Sequence, residues 1–249
     1  MFTLVGYELS ASEAALTAIT PIPDGTVAVI SNDIRVPGAL PNVLAVSAMI
    51  NSAAATLRAQ LVTPSLRAVL PFDISPINNG LVFGAFPRMN QLWFSPLPLV
   101  GLEPMDILVQ NGANVMNRAF VWLGDGPIKP TTGKIYTVRA TASAALSTAT
   151  WVNSGALTFA STLPTGHYQI VGMRSWSVNG NAARLFIPGY AWRPGCLMEN
   201  AEDNNEFAVW RFGNLGVWGE FDNTVPPTVD FMGVIDSAEV LFLDLIKTS

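Results

Sequence analysis

The chain reads as an all-β protein made of two tandem copies of one β-sandwich or barrel, and three observations predict this. Residues 7 to 123 are echoed in order at 136 to 246. Turn signals recur at short intervals with Val-, Ile-, Phe-, Trp- and Thr-rich runs between them, and alternating βαβ patterning is absent. The 249 residues are enough for two domains of about 120 residues, each able to bury its own core.

The echo is sparse but ordered. Tyr7 and Ala14-Ala15-Leu16 are answered by Tyr136 and Ala144-Ala145-Leu146, and Leu40-Pro41 by Leu163-Pro164. Met49 to Pro64 aligns without a gap on Met173 to Pro188, matching Ala59 with Ala183 and Leu61 with Leu185. Asn78-Asn79, Phe86 and Trp93 pair with Asn204-Asn205, Phe212 and Trp218. The offset stays within 122 to 130 residues, as expected of a duplicated fold.

Taken in order, Ser10-Ala11-Ser12-Glu13 has capping-box spacing and could open a short helix. Pro23-Asp24-Gly25 then turns the chain into a strand over Thr26 to Ile30. Val43, Val46, Ile50, Ala54, Leu57 and Leu61 fit a helical stripe, but the duplication favours strands over 43–61. Asn78-Asn79-Gly80 and Asn111-Gly112 punctuate strands over Leu81 to Phe86 and Ala119 to Leu123. Gly124-Asp125-Gly126-Pro127 through Pro130 and Gly133 is a dense Gly/Pro segment, which places the domain boundary between 124 and 134. In the second copy, Asn153-Ser154-Gly155, Pro164-Thr165-Gly166 and Pro194-Gly195 mark turns, and Asn179-Gly180 has the composition of a type I′ hairpin. Tyr168 to Met173, Phe207 to Phe212 and Val240 to Leu245 read as strands.

Half the residues are hydrophobic and 12% are charged, against about 25% in an average soluble domain, so much of the surface is expected to be neutral and covered by other subunits. Ten of the thirteen basic residues are arginine, which suits interfaces. A net charge of −5 without a Lys/Arg cluster argues against direct nucleic-acid binding. Cys196 is alone, so no intrachain disulfide is possible, and a small buried residue is expected there. Met1-Phe2-Thr3 lacks the basic start of a signal peptide, and the charge-free stretches 36–57 and 140–166 are too polar to span a bilayer.

Candidate chemistry is thin. His167 is the one histidine, and it follows a turn with no G-x-S-x-G elsewhere, so a catalytic triad and a His-rich metal centre are both excluded and a surface or interface role is expected. Glu220 and Asp222 lie two apart and share one strand face, a placement some β-sandwich glycosidases use, with Glu199, Glu202 and Asp203 as a nearby acidic loop. Solvated acids on an edge strand explain them equally well, and no catalytic, cofactor-binding or metal-binding residue is assigned. Trp151, Trp176, Trp192, Trp210 and Trp218 could stack on sugars if exposed in a row. Aromatics at matched places, Phe86/Phe212 and Trp93/Trp218, suit a shared core better.

Tandem all-β domains with few charges and no catalytic constellation resemble the double jelly-roll major capsid proteins of tailless, membrane-containing icosahedral bacteriophages. The resemblance implies two tandem eight-stranded jelly-roll β-sandwiches, over 1–124 and 134–249. It further implies a homotrimer that forms a pseudo-hexameric capsomer, neighbouring capsomers and penton or minor capsid proteins as partners, and contact with an inner membrane. The protein would be made in the host cytoplasm and reside in the virion, without a cofactor or enzymatic activity. Many such proteins begin with a basic or amphipathic segment, whereas strand-like sequence here starts by Thr3. A tandem carbohydrate-binding or fibre-like adhesion protein is the alternative.

Overall fold

A computed structural model describes the chain except for residues 12, 51–56, 77–88, 112–114, 178–179, 200–207 and 234–238. Its strands fall into two compact units, one within residues 2–127 and one within 128–249.

Eight principal strands build the first unit: β1 (Phe2–Ala11), β2 (Asp33–Arg35), β3 (Asn42–Ile50), β4 (Arg58–Val62), β5 (Phe72–Ile74), β6 in two pieces (Asn90–Gln91 and Leu97–Pro98), β7 (Pro104–Gln110) and β8 (Val115–Gly124). They pair antiparallel into two sheets, ordered β6-β3-β8-β1 and β2-β7-β4-β5. Short strands extend the edges: Thr20–Pro21 lies on β1, Thr17–Ala18 on β7 and Val29–Ile30 on β2. Strand β7 shows why the sequence folds this way, since Met105, Ile107 and Val109 are buried while the residues between them are half-exposed. Tyr7 on β1 crosses the interior and donates its hydroxyl to the Met105 carbonyl, 2.9 Å away.

The second unit repeats the plan with β9 (Ile135–Ala142), β10 (Val152–Ala156), β11 (His167–Trp176), β12 (Gly180–Phe186), β13 (Gly195–Leu197), β14 (Gly219–Asp222), β15 (Thr228–Gly233) and β16 (Glu239–Lys247). Its sheets are ordered β14-β11-β16-β9 and β10-β15-β12-β13, with Thr158–Phe159 added on β9. Adding eight to each strand number of the first unit gives the second. Successive strands from β1 to β8 and from β9 to β16 mostly cross from one sheet to the other, which is the jelly-roll winding. The chain is thus all-β, with two jelly-roll sandwiches in tandem.

The gapless Met49–Pro64 and Met173–Pro188 match falls on β3/β4 and β11/β12. Residues 43–50 and 58–61 are strand, so the helical stripe does not form there; residues 51–56 lie outside the described residues. Strand β3 mimics a helix because its side chains are buried on both faces after Asn42, which removes the period-two signal. A single helical turn, α1 (Pro64–Arg67), was not evident from pattern; Thr63 caps it by accepting from the Leu66 N–H at 3.2 Å, with Pro64 at its start.

Four expectations are corrected. No helix follows Ser10–Glu13: β1 runs to Ala11, Ser12 is outside the described residues, and Glu13 is tied to Asn111 by two hydrogen bonds. The strand expected over Thr26 to Ile30 shrinks to Val29–Ile30, because Asp24 accepts from Thr26 and Val27 and holds a turn. Asn179-Gly180 does not join a hairpin, since β11 and β12 belong to different sheets; Asn179 itself is outside the described residues. From Phe207 to Phe212, Ala208–Trp210 is a 3₁₀ turn, followed by positive φ at Phe212 and Gly213. Arg211 draws that segment onto Asp244 of β16. The expected strand Leu81 to Phe86 and the pairs Asn78-Asn79 and Asn204-Asn205 lie outside the described residues.

Candidate functional site

The paired acids sit on β14, the edge strand beside β11. Alternation buries Gly219 and Phe221 and turns Glu220 and Asp222 outward, as their spacing predicts. The register sets Glu220 opposite Gln169 and Asp222 opposite His167. Gln169 Nε2 donates to Glu220 Oε1 at 2.8 Å, and His167 Nε2 lies 3.5 Å from Asp222 Oδ2 with 63% of its side chain exposed. Asp222 also accepts from the Thr224 hydroxyl at 2.5 Å and the Thr224 N–H at 2.8 Å, closing the turn after β14. These two bonds, hydroxyl first, hold Asp222 below its ordinary range, with His167 a lesser contributor against a small burial effect. A shallow cleft of about 340 Å³ runs past them, lined by Pro188, Tyr190 and Val225 as well. Glycoside hydrolysis needs one carboxyl kept protonated near neutrality, and Asp222 is shifted the wrong way for that role.

Glu199 does not join this group. It is buried, and Arg174 Nε donates to it at 2.8 Å. Glu202 and Asp203 lie outside the described residues. Cys196 on β13 is fully buried, and burial, then the charge of Glu199, pushes its thiol well up. Among the described residues no group of three or more His, Cys, Asp or Glu is placed to hold a metal ion.

The second-copy tryptophans form no exposed row. Trp210 and Trp218 are buried, and Trp151, Trp176 and Trp192 are half-buried. Trp93 and Trp218 are both buried beside the third strand of their copy, with Trp93 packed on Trp122, but Phe212 is 51% exposed and does not belong to a shared core; Phe86 is outside the described residues.

The arginine bias has a second source besides interfaces. Arg118 pairs with Glu8, Arg174 with Glu199, Arg184 and Arg193 with Asp230, and Arg211 with Asp244. At least five of the ten arginines therefore serve ion pairs within the fold, where a planar fork can meet a buried carboxylate with two donors. The partners are 25 to 110 residues apart, so spacing gave no sign of them.

An apolar end of the first copy was also invisible in the sequence. The loops 36–41, 63–71 and 99–103 meet there: Leu102 N–H donates to Val36 O at 2.8 Å, and Val36 N–H to Glu103 O at 3.0 Å. The Glu103 carboxylate braces them by accepting from Ser65 N–H and Oγ and from Val100 N–H. Burial opposes its charge, yet these bonds, Ser65 Oγ foremost, keep Glu103 below its ordinary range. The braced loops hold Val69, Leu70, Val100 and Leu102 largely in solvent, with Leu102, 73% exposed, in the left-handed region at φ 68°.

No family model matches the chain, and no curated protein does. Among solved structures, the crystal structure of the major capsid protein P2 from bacteriophage PM2 aligns over 100% of this chain and 98% of its own, at 11% identity and a TM-score of 0.27. That score is too low to bear on fold or function. The architecture rests on the strand register.

Proposed function

We propose that the chain is a structural shell subunit: a major capsid protein that trimerises into pseudo-hexameric capsomers, which tile an icosahedral virion. The observation that carries this reading is the identical strand order of the two jelly rolls. A trimer of such chains has six similar units, and a three-fold oligomer can then occupy a six-fold lattice site. The two units serve as domains over 1–124 and 134–249.

The braced apolar end supports wide contacts with other copies and with neighbouring capsomers. The scarcity of charge supports the same reading, and the net charge of −5 supports a shell that leaves nucleic acid to other components. Penton or minor capsid proteins and an inner membrane are the further partners on this reading, and the host cytoplasm is the place of synthesis. No enzymatic step is assigned, because Asp222 closes a turn and Glu220 is bonded to Gln169. Half-buried tryptophans give a carbohydrate-binding reading no stacking platform.

Light scattering and negative-stain microscopy test the proposal. The expected result is a particle of about three times the 26.6 kDa chain mass with a hexagonal outline. A monomer at every concentration would overturn it.

A further inference from the structure

Three loops of the first copy meet at Glu103. Its backbone is fixed to the 36–41 loop, because its carbonyl accepts from the Val36 N–H at 3.0 Å. Its carboxylate reaches across to α1 and back to its own loop. Oε1 accepts from Ser65 Oγ at 2.6 Å and from the Val100 N–H at 2.8 Å, and Oε2 accepts from the Ser65 N–H at 3.0 Å. Apolar packing holds α1 only weakly. Leu66 is its one buried residue, and a cleft of about 200 Å³ opens between it and strands β4 and β7, with Gln60, Val62, Leu66, Leu70 and Leu108 in its wall.

We propose that Glu103 is an acid-released brace. While ionised, its carboxylate ties α1 to the 99–103 loop and keeps Val69, Leu70, Val100 and Leu102 together at one end of the copy; once protonated, it lets both segments loosen. The reason is donor supply. A carboxylate only accepts, and three donors converge on this one. A neutral carboxyl brings an O–H of its own among them, and the N–H groups of Ser65 and Val100 cannot turn round to receive it.

The groups that face Glu103 are the Ser65 and Thr63 hydroxyls and the Ser65 and Val100 N–H groups. The surrounding elements also carry Arg35, paired with Asp33, and Arg67 and Asp106, which line a cavity of about 80 Å³ with Thr63. Burial is the largest effect on Glu103 and opposes its charge, but the bonds together, Ser65 Oγ foremost, bring it below its ordinary range. The folded loops therefore favour the ionised form. The contribution of the brace is complete above the ordinary Glu range and is lost as pH falls through the lowered value. Burial first pushes Asp106 up to about 6, so its proton is bound before that range is reached. Acid loosening of shell contacts through this end rests on the shell reading; the brace itself needs no second chain.

Hydrogen exchange on the full chain, converted to protection factors, reads the brace apart from whether the chain trimerises. From about pH 5 to about pH 2.5, peptides covering 63–71 and 99–103 should lose about tenfold protection while β3 and β8 keep theirs. Glu103→Gln sets an amide N–H against the Ser65 N–H, so protection there should be about tenfold below wild type already at about pH 5, with no further step. Ser65→Ala removes the foremost bond to the charge, so its step should come at a higher pH than in wild type, which a merely structural contact would not cause. Wild-type protection that holds throughout, full protection in Glu103→Gln at about pH 5, or a Ser65→Ala step at the wild-type pH would overturn the proposal.

Discussion

In the first copy, the face of the β6-β3-β8-β1 sheet turned away from Met105 carries Phe2, Leu4, Phe120 and Trp122, all buried, with Trp93 edge-on to Trp122 at 5.9 Å. The same face of the β14-β11-β16-β9 sheet carries Thr137, Arg139, Phe242 and Arg174, exposed or half-exposed, around a buried Asp244. The opposite faces are alike: Val5, Tyr7, Val46 and Val121 in one copy answer Val138, Ala140, Leu241 and Leu243 in the other. The inward-facing residues are thus alike in character in the two copies, as an apolar stripe that closes a sandwich requires. The outward face is free to diverge. Aromatic packing fills most of it in the first copy, beside the one buried Glu8–Arg118 pair, whereas ion pairing around Asp244 organises it in the second.

The strongest way to break that comparison is to remove the charge that organises the second copy's outer face. Asp244 is fully buried and accepts from Arg211 Nε at 2.6 Å, Arg211 Nη2 at 2.8 Å, Phe212 N–H at 2.8 Å and Thr137 Oγ1 at 2.7 Å. Gly172 opposite has no room for a side chain, since a Cβ there would lie 2.6 Å from Asp244 Oδ2 and 2.7 Å from Trp210 O. In Asp244→Ala the buried Arg211 guanidinium loses its carboxylate, and denaturant unfolding of the second copy's strands should show a loss of about 3–5 kcal/mol. A loss below about 1 kcal/mol would mean that packing, not the ion pair, holds that face.

The turn punctuation with its Val-, Ile-, Phe-, Trp- and Thr-rich runs was legible in the sequence, and so were the duplicated segments. Met49–Pro64 aligns on Met173–Pro188 across corresponding strands, β3/β4 and β11/β12, although Met49 lies opposite Arg118 on the outward face and Met173 opposite Leu243 on the inward one. The outer faces were not legible. Arg211 lies 33 residues from Asp244 and Arg118 lies 110 from Glu8, so each arginine reads in isolation as a surface or interface cation. Phe207 to Phe212 has strand-like composition, but Ala208–Trp210 forms a 3₁₀ turn and Arg211 pairs with Asp244. The loops that Glu103 braces are joined only by tertiary hydrogen bonds of Val36, Ser65, Val100 and Leu102. Tertiary pairing overrides local propensity at these places.

The ends of the two copies differ as their faces do, and this gives a test of intermediate size. Val69, Leu70, Val100 and Leu102 cap the first copy, whereas the turn after β14 in the second carries Asn223, Thr224 and Val225 beside Asp222 and His167. Leu102→Gly suits the left-handed backbone and should leave fold stability within about 1 kcal/mol of wild type. Association measured by light scattering should nevertheless weaken, because a contact side chain is gone. Val225→Ser should leave association as it is. An equal effect from both would mean that the two ends are used alike, and no effect from Leu102→Gly would remove the apolar end from the assembly contacts.

The smallest expected effect concerns the paired acids at the second copy's edge. If Glu220 and Asp222 were a catalytic pair, Glu220→Gln or Asp222→Asn would abolish a hydrolytic activity with the fold intact, since one carboxyl must protonate the leaving group while the other attacks or activates water. The geometry favours the opposite result: Asp222 is held ionised by Thr224, and Glu220 accepts from Gln169 on the neighbouring strand. Both amide variants should therefore lack a chemical phenotype. Asp222→Asn should at most loosen the 222–224 turn, and that change is confined to acidities where the wild-type carboxylate is ionised, because its lowered value means that its contribution fades only as pH falls through it. Screening the wild type and both variants against a panel of polysaccharides decides the matter. Turnover in the wild type that vanishes in both variants would move the protein from shell subunit to enzyme.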